Sequence, residues 1–325
     1  MMKNTIALIC LLICFNGAWS QQVVLPATLT VAQDGSGDYK TIQEAVNSVR
    51  DLSQRRVTIH IKKGVYHEKV VVPSWKTSIS LVGESKDSTI ISWNDFSGKG
   101  KFTTYTSYTL LVEGNDFIAE NLTIENTAGR VGQAVALHVE GDRIIIKNCR
   151  IVGNQDTLYA AKENSRQYYQ DCYIEGTTDF IFGEATAVFK NCLIKSLVNS
   201  YITAAATTQR QQFGYVLIDC KLIADTAARK VFLGRPWRPY AKTVYINCEL
   251  GSHILPEGWN PWTGDLMFPD KEKTTFYAEY GSKGPGANPS SRIKWSRQLT
   301  GKEVKQYTLP QILGGRDHWD PVKVR

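Results

Sequence analysis

The chain has 325 residues, with 38 Lys and Arg against 31 Asp and Glu and a net charge of +7. Its 42% hydrophobic and 21% charged content is ordinary for a folded soluble protein. The excess charge is spread without a basic run, which argues against a nucleic-acid partner and suits an acidic polysaccharide.

Lys3 precedes an apolar run from Ile6 to Phe15, and Gly17-Ala18-Trp19-Ser20 follows. Small residues at Ala18 and Ser20 mark residues 1–20 as a secretory signal peptide and 21–325 as one domain. Ten apolar residues are too few to span a bilayer, so no membrane attachment is expected after cleavage. Removing Lys3 leaves a charge of about +6, the +7 of the whole chain less one. Five cysteines remain, Cys149, Cys172, Cys192, Cys220 and Cys248, in a compartment that permits disulfides. The odd count leaves at least one thiol free.

Asp34-Gly35-Ser36-Gly37-Asp38-Tyr39 is a turn; a phosphate-binding glycine loop fails at Lys40. Thr41-Ile42-Gln43-Glu44 is a capping box, and Ala45, Val46 and Val49 follow at helical spacing. A short helix there can cover the open end of a solenoid. From Arg56 the pattern is strand, turn, strand: Val57–Ile61, Gly64–Val72, Ile79–Gly83, Thr89–Ile91 and Phe117–Ile124. The pattern weakens beyond Trp262, Gly281–Gly286 reads as loop, and Thr308–Leu313 as a short closing helix.

An Asn or Asp followed by Cys or Leu recurs at Asn121, Asn148, Asp171, Asn191, Asp219 and Asn247, at steps of 27, 23, 20, 28 and 28 residues. Short strands at this density, almost without helical pattern, predict an all-β fold, a parallel β-helix, right-handed by the usual crossover rule. The cysteines then form a buried column with Leu122; a disulfide such as Cys192 to Cys220 is the alternative. No ligand spacing for zinc occurs. The sequon at Asn121 lies in the repeat column, where folding is expected to hinder glycosylation.

The repeat is clearest between Asn148 and Phe182. Cys149 falls on Cys172, Gly153 on Gly176, Asp156 on Asp179 and Tyr159 on Phe182, at an offset of 23 residues. Stacked coils put equivalent residues roughly 4.8 Å apart, so Asp156 and Asp179 stand side by side. Two such carboxylates cannot both ionise freely. A merely polar rung could use Asn, as at Asn199, seven residues past Cys192. The pair is therefore a candidate for acid–base or nucleophilic work. Gln133 and Gln155 could donate to an oxyanion without adding charge. Arg235 could hold one carboxylate ionised. Tyr159, Phe182, Trp237 and Trp259 could floor a sugar site. Singly, each has a plainer reading: a polar ladder, a surface pair, packing.

Five segments, Gly64–Glu68, Gly132–Leu137, Gln155–Leu158, Asp179–Gly183 and Leu233–Trp237, resemble in order the motifs of the plant pectin methylesterases (pectinesterases). Asp34–Tyr39 is similar to that family's opening, and the likeness runs from about Val31 to about Trp319. The resemblance implies a right-handed parallel β-helix that removes methyl esters from cell-wall homogalacturonan and needs no cofactor or metal. It implies Asp179 as nucleophile, Asp156 as proton donor and then base, Gln133 and Gln155 as oxyanion donors, and Arg235 as partner of Asp179. It implies Gln133, Tyr159, Phe182, Arg235, Trp237 and Trp259 as substrate-binding residues, a secreted monomer in the plant cell wall, and a proteinaceous inhibitor as a further partner. Many plant relatives carry an inhibitor-like pro-region; here only the signal peptide is expected. Ile202–Arg210 differs from the usual version, which touches the cleft rather than the catalytic set. A pectin-cleaving glycosidase on the same carboxylates, or a wall-binding protein without turnover, are the alternatives.

Overall fold

The computed structural model describes residues 27–324, so the signal peptide expected over 1–20 lies outside the described residues. The strands form three sheets of eleven, seven and eight, each joined by parallel pairings between successive coils. One coil contributes one strand to each sheet. Ile144–Lys147, Arg150–Val152 and Leu158–Ala160 make one turn; Arg166–Gln170, Tyr173–Gly176 and Ile181–Gly183 make the next. Ile145 pairs with Tyr168, Ile151 with Ile174 and Tyr159 with Phe182, so the 23-residue repeat is one coil of a parallel β-helix.

The repeated Asn or Asp has a backbone cause. Asn121, Asn148, Asp171, Asn191, Asp219 and Asn247 all adopt φ between 49° and 58°, at the corner between the eleven- and eight-stranded sheets. Asn and Asp enter this left-handed region more readily than other side-chain-bearing residues. Their side chains add a ladder: Asn148 donates to Asn121 at 2.7 Å. Asn121 thus spends its carbonyl inside the ladder, and the Thr123 hydroxyl is buried and donates to the Lys86 carbonyl, which encloses the sequon.

The residue after each corner points inward. Leu122 and the five cysteines are essentially fully buried, and all five thiols are free, so the Cys192–Cys220 disulfide does not form. Burial pushes the Cys149 thiol well above its ordinary value. Ile124, Ile151, Ile174, Ile194, Leu222 and Leu250 stack two positions on. Burying one such side chain contributes about 1.5–3 kcal/mol.

The first helix spans Ile42–Ser48 and its capping box is formed. Ile42, Ala45 and Val46 join the coil interior, against the strands Thr28–Val31 and Val70–Val72. Glu68 explains part of the Gly64–Glu68 segment, because its carboxylate accepts from the Ile42 and Gln43 amides at 3.0 Å each. Those amides are orphan donors of the helix start. At the other end the solenoid outlasts its sequence pattern: Phe276–Tyr280 still pairs in parallel with Lys242–Ile246. The helix Leu309–Leu313 does not close the coil. Ile312 and Leu313 pack with Val188, Val216 and Trp319 on the outer face of the eleven-stranded sheet. Among the described residues no helix is long and apolar enough to cross a membrane.

Candidate active site

The candidate residues gather on the outer face of the seven-stranded sheet. Leu158 pairs with Ile181, so Asp156 and Asp179, each two residues earlier, occupy equivalent places on adjacent coils. Both take the left-handed conformation, with φ 64° and 50°. The Asp156 amide donates to the Thr178 carbonyl and the Asp179 amide to the Tyr201 carbonyl, which holds the two kinks in place. Conformations of this kind cost about 1 kcal/mol or more each and concentrate at functional sites. The next coil continues with Tyr201, since Ile181 pairs with Thr203. Asn199, expected as the polar counterpart, instead accepts from the Arg229 and Lys230 amides in an exposed loop. Two extra residues in the connection shift it out of the column.

The two carboxylates have unlike surroundings. Asp179 is clamped by Arg235, Nε to Oδ1 at 3.0 Å and Nη2 to Oδ2 at 2.6 Å. Burial pushes its carboxyl up, and the bidentate guanidinium opposes that rise. Asp156 has no hydrogen-bond donor on its carboxyl among the described residues. Burial first, then the charge of Asp179, pushes it well above the ordinary carboxylate range, with Arg235 pulling the other way. The arrangement favours a neutral Asp156 beside a charged Asp179.

Arg235 is held as firmly as it holds. Its guanidinium lies 4.0 Å from the centre of the Tyr201 ring and 3.5 Å from that of Trp262. It follows Gly234, where a Cβ would stand 2.0 Å from the Thr203 hydroxyl, so only glycine lets the two strands close here. Neither Tyr201 nor Trp262 was among the residues the sequence singled out. A Tyr on the coil after Asp179, with Thr203 opposite Gly234 beside Arg235, is the signal that register alone would reveal.

A cavity of about 280 Å³ opens above the pair, lined by Tyr105, Gln133, Gln155, Phe182, Trp237 and Trp262 among others. Gln133 and Gln155 bridge one another through their backbones and both face this cavity. Neither side-chain amide is engaged by another group among the described residues. Phe182 stacks on Tyr159 with ring centres 4.5 Å apart and meets the Trp237 edge at 5.8 Å. His138 extends the row, 4.5 Å from Tyr159.

Trp259 corrects the sequence expectation. It is fully buried inside the coil between Tyr245 and Tyr277, with ring centres 5.6 and 4.5 Å away. It cannot floor a cleft on the outside; Trp262, three residues on, holds that place. A larger cavity of about 700 Å³ lies against the C-terminal helix. Its charges are already matched, Arg210 with Glu163 and Arg166 with Asp142 and Asp317, which leaves nothing poised for chemistry.

The pectinesterase family profile matches residues 28–316. The chain belongs to the pectinesterase family. Among relatives, it is 39% identical over 310 residues to the probable pectinesterase/pectinesterase inhibitor 23 of Arabidopsis thaliana, covering 91% of this chain and 53% of that protein. It is 40% identical over 304 residues to pectinesterase 5 of the same plant, covering 89% and 50%. The chain thus spans about half the length of these curated pectinesterases. Among solved structures, the pectin methylesterase from carrot superposes with a TM-score of 0.84 at 36% identity, covering 89% of this chain and 93% of that one. A pectin methylesterase in complex with hexasaccharide VII gives 0.78 at 31%, covering 90% and 97%.

Proposed function

We propose that this chain hydrolyses the methyl esters of homogalacturonan, releasing methanol and leaving acidic pectate. The observation that carries the reading is the unequal carboxylate pair, Asp179 clamped by Arg235 and Asp156 left to hold a proton. Asp179 Oδ attacks the ester carbonyl carbon, and the carbonyl π electrons move to oxygen. The side-chain amides of Gln133 and Gln155 donate to that oxyanion. The tetrahedral centre collapses, the bond to methoxide breaks, and Asp156 gives it a proton, so methanol leaves. The acyl-enzyme is an anhydride on Asp179. Asp156, now a carboxylate, takes a proton from water, whose oxygen attacks the acyl carbon and frees the acid and Asp179. Tyr159, Phe182, Trp237 and Trp262 offer apolar faces to the sugar rings.

The charge of about +6 supports a polyanionic product as ligand. The relatives' names join pectinesterase with pectinesterase inhibitor, which supports a proteinaceous inhibitor as partner. We read the chain as a monomer acting outside the cell, in the plant cell wall. The test measures methanol and reducing ends together on methylated pectin. Methanol without new reducing ends is expected; new reducing ends without methanol mean a glycosidase, and neither product means binding alone.

A further inference from the structure

The coil supports Gln133 by strand-like pairing on one side only. Towards the next coil, the Ala134 amide donates to the Gln155 carbonyl at 3.0 Å and the Ala136 amide to the Thr157 carbonyl at 2.8 Å. Towards the preceding coil, Leu137 pairs with Leu110, a register that carried back four residues sets Gln133 opposite Thr106. Thr104–Thr106 is a 3-10 turn, so no strand stands there. The turn belongs to a loop that leaves the coil after the strand Thr89–Trp93 and returns at the strand Leu110–Val112.

Loop and side-chain groups take the place of the missing strand. The Ser97 amide donates to the Gln133 carbonyl at 2.9 Å, and the Val135 amide donates to the Ser107 hydroxyl at 3.1 Å. The buried side chain of Asn126 joins the two. Its amide nitrogen donates to the carbonyls of Asp95, Ser107 and Val135, at 2.9, 3.1 and 3.0 Å. Its oxygen accepts from the Ala128 amide at 3.0 Å, which fixes the direction of the group. One primary amide thus ties both feet of the loop to the stretch that carries Gln133. Buried carbonyls need such donors, and no backbone amide of a neighbouring strand supplies them here. The loop is also braced from within. The Asp95 carboxylate accepts from Lys69 and from the Trp93 ring nitrogen, at 2.8 Å each, and Lys69 donates to the Thr106 carbonyl at 2.6 Å.

We propose that Asn126 is a positioning residue for Gln133: it closes the loop against the Gln133 backbone and so aims the Gln133 amide at the oxyanion. This rests on the esterase reading above. Asn126 is buried and lies outside the cavity lining, so it acts through Gln133 rather than on the substrate. A donor displaced by about 1 Å can lose about a hundredfold in rate.

The test is a double-mutant cycle on methanol release, with Asn126→Ala made in wild type and in Gln133→Ala. In wild type it should lower kcat about tenfold to a hundredfold and leave KM within about twofold. In Gln133→Ala it should change kcat less than about twofold, because the group it aims is gone. Ser107→Ala, which removes only the hydroxyl that holds the Val135 amide, should show the same pattern with a smaller loss and decides the matter if Asn126→Ala does not fold. An equal loss in both backgrounds, as a general weakening of the fold or a displaced Tyr105 would give, overturns the proposal. So does an unchanged kcat, or a rise in KM alone. A Gln133→Ala protein as fast as wild type sinks the oxyanion reading and this proposal with it, and no methanol from wild type sinks the esterase reading itself.

Discussion

Arg235 grips Asp179 through both carboxylate oxygens, at 3.0 and 2.6 Å, while Asp156 on the adjacent coil receives no such donor among the described residues. That asymmetry gives a repeated residue two unlike surroundings. It also makes the ring clamp on Arg235 a testable part of the site. Tyr201→Phe keeps the face under the guanidinium and should leave kcat within about twofold. Tyr201→Ala should lower kcat about tenfold or more and move the acid limb of the pH profile upward, because a looser guanidinium no longer restrains Asp179. A pH profile unchanged in Tyr201→Ala contradicts the clamp. Arg235→Lys, which cannot make the fork, should cost on the order of a hundredfold in kcat.

Asp156 is expected to trade stability for activity. A carboxyl raised by folding holds its proton more tightly in the folded chain. Between the unfolded value of about 3.9 and the raised folded value, the folded state binds more protons, so stability falls as pH rises. Asp156→Asn removes that cost. Its melting temperature should exceed wild type at about pH 7, with the gain closing toward about pH 3, while methanol release falls by about a hundredfold or more. Thermal melts across pH check the sign, and a variant less stable at neutral pH would refute it.

Gln133 and Gln155 face the cavity with uncommitted amides. Replacing either by Ala should lower kcat about 10²- to 10³-fold with little change in KM, the pattern of a donor used only when the oxyanion forms. Steady-state kinetics decide this; a rise in KM alone would assign the amides to ground-state binding.

The two tryptophans beyond Arg235 should separate cleanly. Trp259→Ala empties a fully buried place between Tyr245 and Tyr277 and should cost about 3–5 kcal/mol of stability. Trp262→Ala should leave the melting temperature nearly unchanged and impair kcat/KM, since Trp262 covers Arg235 and walls the cleft. Denaturant melts beside kinetics on both variants test the assignment.

The coil and the register of the carboxylate pair were readable because spacing fixes them. Each coil repeats one inward column, and a period of 23 residues sets Asp156 against Asp179. The cysteine column was readable for the same reason. What the sequence hid depends on local departures from period. Asn199 left the column because its connection is longer, and Tyr201 took the place. Trp259 and Trp262 have equally plausible spacing after Arg235. Trp259 bridges Gly234 and lies inside the coil, while Trp262 stands beside Arg235 in the cleft wall. The helix Leu309–Leu313 was legible as an element, but which face it would cover depended on the apolar outer surface of Val188, Val216 and Val244, on strands far away in sequence.

The division of one proton between two carboxylates is most directly measured by infrared difference spectroscopy of wild type against Asp156→Asn at neutral pH. The account predicts that the substitution removes the carbonyl band of a neutral carboxylic acid and leaves the carboxylate bands unchanged. Loss of a carboxylate band instead, with no neutral acid lost, would show Asp156 ionised at rest and contradict its role as proton donor.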